Sequence, residues 1–105
     1  MKPRNNISLS TSYVKKLLSD YLDYRYRHDK GSICSFSISK LLRFHGIEME
    51  GGGVTLATVL RYYLNALVQL GFVKAEKVHG RNGQCWKYFI KRHDIPKIIE
   101  VLKQL

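Results

Sequence analysis

The sequence predicts one α+β domain, with helices packed on a small antiparallel sheet. Three observations carry this. Apolar residues recur at helical spacing through the first two thirds of the chain. The period then changes from 3.6 to 2 on either side of a glycine-rich turn at 80–83. A chain of 105 residues, 45% hydrophobic and 25% charged, has ordinary globular composition and length for one core. Such a chain needs neither disulfide nor metal to fold.

Residues 1–11 are polar, carry Lys2 and Arg4, and lack periodicity, so they read as a flexible basic arm ahead of a domain over 12–105. Ser12 is placed to cap a first helix running to about Tyr26. Its Val14, Leu17, Leu18, Tyr21 and Leu22 share one face. Asp29 to Ser32 reads as a turn and Ile33 to Phe36 as a short strand. Ser37 can cap a second helix, Ile38 to His45, in which Ile38, Leu41, Leu42 and Phe44 supply apolar contacts and Gly46 the C-terminal stop. Gly46 to Val54 reads as a loop with glycines at 51–53 and acids at Glu48 and Glu50. No Gly-Lys-Ser/Thr follows those glycines, so they read as linker and not as a nucleotide loop.

Thr55 opens the clearest helix, Leu56 to Leu70, whose stripe is Leu56, Leu60, Leu64, Leu67 and Leu70. Phe72 to His79 and Gln84 to Lys91 read as the two strands of a hairpin, with Trp86, Tyr88 and Ile90 on one face. Asp94 is placed to cap a last helix with Pro96 in its first turn and Ile95, Ile98, Ile99, Leu102 and Leu105 on its apolar face. No repeat interrupts this order.

Eighteen Lys and Arg face eight Asp and Glu, a formal charge of +10. That balance points to a polyanionic partner. No segment has the roughly 20 apolar residues of a membrane helix, and the basic start is not followed by an apolar run. The expected location is therefore cytoplasmic, at the nucleoid. Cys34 and Cys85 lie 51 residues apart and read as two buried thiols. A disulfide between them is the alternative in a hyperthermophile. No metalloprotease helix, paired Cys-x-x-Cys or nucleophile elbow is present, so no enzyme, metal or cofactor is expected.

The run Leu64-Asn-Ala-Leu67-Val-Gln-Leu70-Gly71-Phe72-Val73 resembles the third helix of winged helix-turn-helix proteins, with leucines three apart, then Leu-Gly, then apolar entry to the wing. The glycine-rich hairpin and its return Lys87-Tyr88-Phe89-Ile90 resemble a wing. The resemblance covers residues 12–105. It implies a three-helix core with a helix-turn-helix, a small sheet, a wing and here an extra C-terminal helix. It also implies a small regulator of prokaryotic, archaeal-like type that binds double-stranded DNA. The loop at 46–54 departs from the compact pattern in being longer and acidic, which would repel phosphate there.

In that frame the polar face of the third helix, Thr55, Thr58, Arg61, Tyr62 and Asn65, becomes the candidate major-groove reader. Arg binds guanine in a bidentate way, Asn binds adenine, and Thr or Tyr reaches base or phosphate. The hairpin from 74 to 92 carries six cations against one acid. Lys74, Lys77, His79, Arg81, Asn82 and Lys87 are its candidate phosphate contacts, joined by Lys40 and Arg43 of the second helix. Wide apolar faces on the first and last helices lead to an expected homodimer that would present two reading helices to a palindromic site. Two alternatives belong to other classes. One is a winged helix used for protein contacts in a replication or transcription assembly. The other is a single-stranded DNA or RNA binder stacking bases on Tyr13, Tyr21, Tyr24 and Tyr26, which are interleaved with Lys15, Lys16, Arg25 and Arg27.

Overall fold

A computed structural model describes residues 11–48, 53–80 and 83–105. Among these, the order is α1 (Thr11–His28), β1 (Ile33–Phe36), α2 (Ile38–Phe44), α3 (Gly53–Gln69), β2 (Val73–Gly80), β3 (Gly83–Lys91), a 3-10 turn (Arg92–Asp94) and α4 (Ile95–Gln104). The result is an α+β fold of four helices and one three-stranded antiparallel sheet of order β1-β3-β2. The strand that comes last in sequence therefore lies in the middle.

Strand alternation fixes which residues enter the core. Cys34 and Phe36 of β1 pair with Ile90 and Tyr88 of β3, and Val73 and Ala75 of β2 pair with the same two residues. Cys34, Phe36, Tyr88, Ile90 and Val73 are buried on this face, and the helices cover them. α1 contributes Val14, Leu17, Leu18, Tyr21 and Leu22, and α2 contributes Ile38, Leu41 and Leu42. Leu56, Leu60, Leu64 and Leu67 of α3 are fully buried. Each such leucine contributes about 1.5–3 kcal/mol of burial.

Two helices stop by the same device. After α2, Gly46 takes φ 72°, its N–H reaches the Arg43 carbonyl and the N–H of Ile47 reaches that of Leu42. After α3, Gly71 takes φ 88° with the equivalent bonds to Val68 and, from Phe72, to Leu67. Both are Schellman motifs, in which glycine accepts the left-handed backbone and the last carbonyls find donors. At the start of α2 the Ser37 hydroxyl accepts from the Lys40 N–H at 3.3 Å, as the sequence predicts.

Several boundaries differ from expectation. α1 already includes Thr11, so Ser12 lies inside the helix and residue 11 is not part of an arm; Lys2 and Arg4 lie outside the described residues. α2 ends at Phe44 with His45 as its cap, and Phe44 is exposed against Tyr21 and Tyr24. α3 starts at Gly53, which shortens the connection before it; Glu50, Gly51 and Gly52 lie outside the described residues. Leu70 falls past the end of α3 in the turn and is 53% exposed. Asp94 does not cap α4 with its side chain. The 3-10 turn runs straight into the helix and holds Asp94 at φ −84°, ψ −11°, a helical conformation, whereas a capping side chain needs extended backbone. Its carboxylate instead lies 3.3 Å from His93 Nε2.

α4 packs on α1 within the same chain. Ile95, Ile98 and Leu102 are fully buried there, while Ile99 is half-buried and Leu105 exposed. The buried apolar residues of α1 and α4 therefore pack against each other within one molecule.

A polar latch closes the end of α1. Arg25 Nε donates to Asp29 at 2.8 Å and Nη1 donates to the Tyr21 hydroxyl at 2.7 Å. The Cys34 thiol also donates to Asp29. Arg92 reaches across from the end of β3: its Nη2 donates to the Tyr26 carbonyl at 2.6 Å, its guanidinium lies 4.9 Å from the Tyr26 ring centre, and its N–H donates to the Ser32 carbonyl. Arg92, counted in the sequence among the hairpin cations, is a structural tie. The hydrogen bond from Arg25 holds the Asp29 carboxyl below its ordinary 3.8. Burial, then the bond to Asp29, pushes the Cys34 thiol up to about 11.

Linkage gives the sign of both effects. The stability contributed by Asp29 is complete above its ordinary 3.8 and falls away as pH drops through the lower folded value. That from Cys34 is complete below its ordinary 9.0 and falls away as pH rises from there towards about 11. Urea midpoints measured across both ranges should show a flatter acid limb in Asp29→Asn and a flatter alkaline limb in Cys34→Ala. Separately, Leu102→Ala should cost about 2–5 kcal/mol in urea unfolding, with a midpoint independent of protein concentration. A concentration-dependent midpoint would instead place this seam between subunits.

Candidate functional site

The residues singled out by sequence fall into three groups in space. The first is the outer face of α3. Burying Leu56, Leu60, Leu64 and Leu67 on one side forces Thr55, Thr58, Arg61, Tyr62 and Asn65 to the other, and all five are exposed. Tyr62 is 70% exposed, its ring edge-on to that of buried Tyr63 at 5.4 Å. Arg61 lies at the side of this face, next to the hydroxyl of Tyr88. Burial pushes the Tyr88 phenol up, and the neighbouring guanidinium opposes the rise.

The second group is the hairpin, which the register divides. Lys77 and His79 alternate with Val73 and Ala75, so they share the sheet face that α3 covers. Lys74 and Lys87 point to the opposite face. There Lys74 Nζ is 3.1 Å from Glu76, Glu76 is the cross-strand partner of Lys87, and Lys87 lies over the Phe89 ring at 5.8 Å. The fold therefore joins Lys77 and His79 to α3 and does not join Lys74 and Lys87. Arg81 and Asn82 lie outside the described residues; Gly80 and Gly83 on either side of them are paired residues of β2 and β3. The third group is Lys40 and Arg43, both exposed on α2.

No family model, curated protein or solved structure matches this chain. Among the described residues no helix is long and apolar enough to cross a membrane, and no three His, Cys, Asp or Glu side chains gather as a metal cluster.

Trp86 is the functional candidate that the sequence misplaced. Alternation groups it with Tyr88 and Ile90, but those two are buried and Trp86 is 40% exposed. It lines a groove of about 210 Å³ with Ser37, Ser39, Ala57, Arg61 and Cys85. Lys77 Nζ stands 5.5 Å from the centre of its ring. A readable signal existed: the residue opposite Trp86 is Lys77, and a lysine facing inward marks the place where the core has ended.

The four tyrosines of α1 do not form one surface. Tyr21 is buried, Tyr13 and Tyr26 pack partly against the core, and Tyr24 is the exposed one, stacked with His28 and Phe44.

The cysteines also differ from the expected pair of buried thiols. Cys34 is buried and Cys85 exposed, both free. Cys34 pairs with Ile90, and Cys85 lies five positions along β3, about 17 Å at strand rise. That is far beyond disulfide reach. A thiol reagent should label Cys85 at once and Cys34 only at the rate of unfolding. Fast labelling of two thiols in the native protein would contradict the burial of Cys34.

Proposed function

We propose that the chain is a winged-helix domain that binds double-stranded DNA, with a role in transcriptional regulation. The element order supports the family: three helices, β1 placed between the first two, and a hairpin whose second strand returns to pair with β1. α2 and α3 become the helix-turn-helix, and β2 and β3 the wing.

The observation that carries the DNA assignment is the distribution of charge. Neither α2 nor α3 contains an acid, and they expose Lys40, Arg43 and Arg61. The acids of α1, of the turn after it and of α4 are taken up locally: Asp20 pairs with Lys16, Asp23 with Arg27, Asp29 with Arg25 and Glu100 with Lys103. α1 (four Lys and Arg, two acids) and α4 (two Lys, one acid) stay positive as well, but α2 and α3 carry their cations with no acid at all, and Lys77 lies on the same side of the hairpin. Polyphosphate is the polyanion that such a surface suits.

Within it, Asn65, Tyr62 and Thr58 would face base edges in the major groove, and Arg61, Lys77, Lys40 and Arg43 would hold phosphates. Glu48, exposed four residues after α2, would repel duplex phosphates at its own position.

Anisotropy of a labelled random-sequence duplex at about 50 and 200 mM salt tests the proposal, with single strands and RNA as competitors. Affinity should fall steeply with salt. Arg81→Ala should weaken all duplexes alike and lower the salt slope by about 1, whereas Asn65→Ala should cost about 1–3 kcal/mol on a selected site only. Folded protein that leaves duplex unbound at low salt would defeat the assignment.

A further inference from the structure

We infer that the groove beside Trp86 is a strand-binding subsite for the sugar–phosphate backbone of duplex DNA, with the indole as its apolar floor; this rests on the DNA-binding proposal above. An indole on a hairpin face, flanked by a guanidinium and an ammonium, is unlike a solvated surface. Lys77 stands over the ring at 5.5 Å, and Arg61 lines the same groove next to Tyr88. Ser37 and Ser39 border the groove on its α2 side.

The other aromatic rings on this sheet face have a place in the core. Tyr88 and Phe36 are buried and their ring centres lie 5.9 Å apart. Trp86 instead has Lys77 over its ring, and the groove beside it is bordered by α2, α3 and the hairpin. The ligand that matches is one with apolar patches between regularly spaced anions. A deoxyribose–phosphate strand has that composition, since the sugar presents C–H edges to an aromatic face and the phosphates flank it. A duplex keeps its bases stacked inside, so in a duplex the sugar, and not a base, reaches the ring.

The consequence separates Trp86 from the cations. Ionic contacts release counterions and set the salt slope, whereas an aromatic–sugar contact does not. Trp86 is the sole tryptophan of the chain, so its emission reports this groove alone.

The experiment follows anisotropy of a labelled random-sequence duplex and Trp86 emission in the same titration of the full chain. Emission should change along the binding isotherm. Trp86→Ala should weaken duplex binding roughly tenfold with the salt slope unchanged, and Trp86→Phe should restore most of it. Lys77→Ala should lower the slope by about 1. Circular dichroism and urea midpoints check that each variant is folded, and Trp86→Phe keeps the test valid where the alanine variant is not. Duplex that binds with emission unmoved and with both tryptophan variants equal to the parent would overturn the subsite and leave DNA binding standing. A larger emission change with single strands than with duplex would overturn it in favour of base stacking. Duplex left unbound in the anisotropy channel would overturn the DNA proposal and the subsite with it.

Discussion

Strand β3 is hydrogen-bonded along both edges, but its two neighbours differ in length. β2 pairs with it from Gly83 to Ile90, while β1 has four residues and pairs only from Tyr88 to Lys91. The sheet is therefore three strands wide at one end and two at the other. At the wide end Cys34, Phe36, Val73, Tyr88 and Ile90 form a continuous apolar face beneath the helices. At the narrow end β1 has ended, and the same face carries Lys77 and Trp86, both exposed. A single inequality of strand length thus sets both the extent of the core and the place where the hairpin leaves it.

The helices complete that division. α3 is committed on one side by four fully buried leucines, which removes rotation about its axis as a degree of freedom. Its outer side keeps hydroxyl, amide, phenol and guanidinium groups exposed and contains no acid. α1 and α4, by contrast, bury their apolar faces against each other and carry acids that pair with nearby cations. Exposed pairs of that kind stabilise by tenths of a kcal/mol up to about 1. Their larger effect is on the field, since they lower the positive charge of α1 and α4, whereas α2 and α3 contain no acid to lower theirs.

Most of the architecture was legible because periodicity is a direct image of burial. The stripe from Val14 to Leu22, the leucines of α3 and the switch to period 2 at the hairpin each appear in the structure as the sequence predicts. Gly46 and Gly71 announced both helix stops because left-handed backbone favours glycine. What was illegible depends on where one element ends relative to another. Leu70 continues the stripe in sequence, but the helix has already stopped, so it is exposed. Trp86 continues the alternation, but the sheet has already narrowed. Arg92 reads as one more hairpin cation until the return of the chain brings it to the Tyr26 carbonyl. Asp94 reads as a cap until a 3-10 turn feeds the helix directly. In the candidate site, the five outward residues of α3 followed from the stripe alone. The separation of Lys77 from Lys74 and Lys87 required the register.

The proposed interface lies on α3 and on the α3-facing side of the hairpin. Amide chemical-shift changes in the labelled protein, followed residue by residue as duplex DNA is added, test this most directly. The account predicts that the large changes fall on 55–65, on Lys77, Trp86 and their strand neighbours, and at the Lys40 and Arg43 turn of α2. The seam between α1 and α4 should stay unchanged. Changes concentrated on that seam, or an unperturbed spectrum with duplex in excess at low salt, would contradict it.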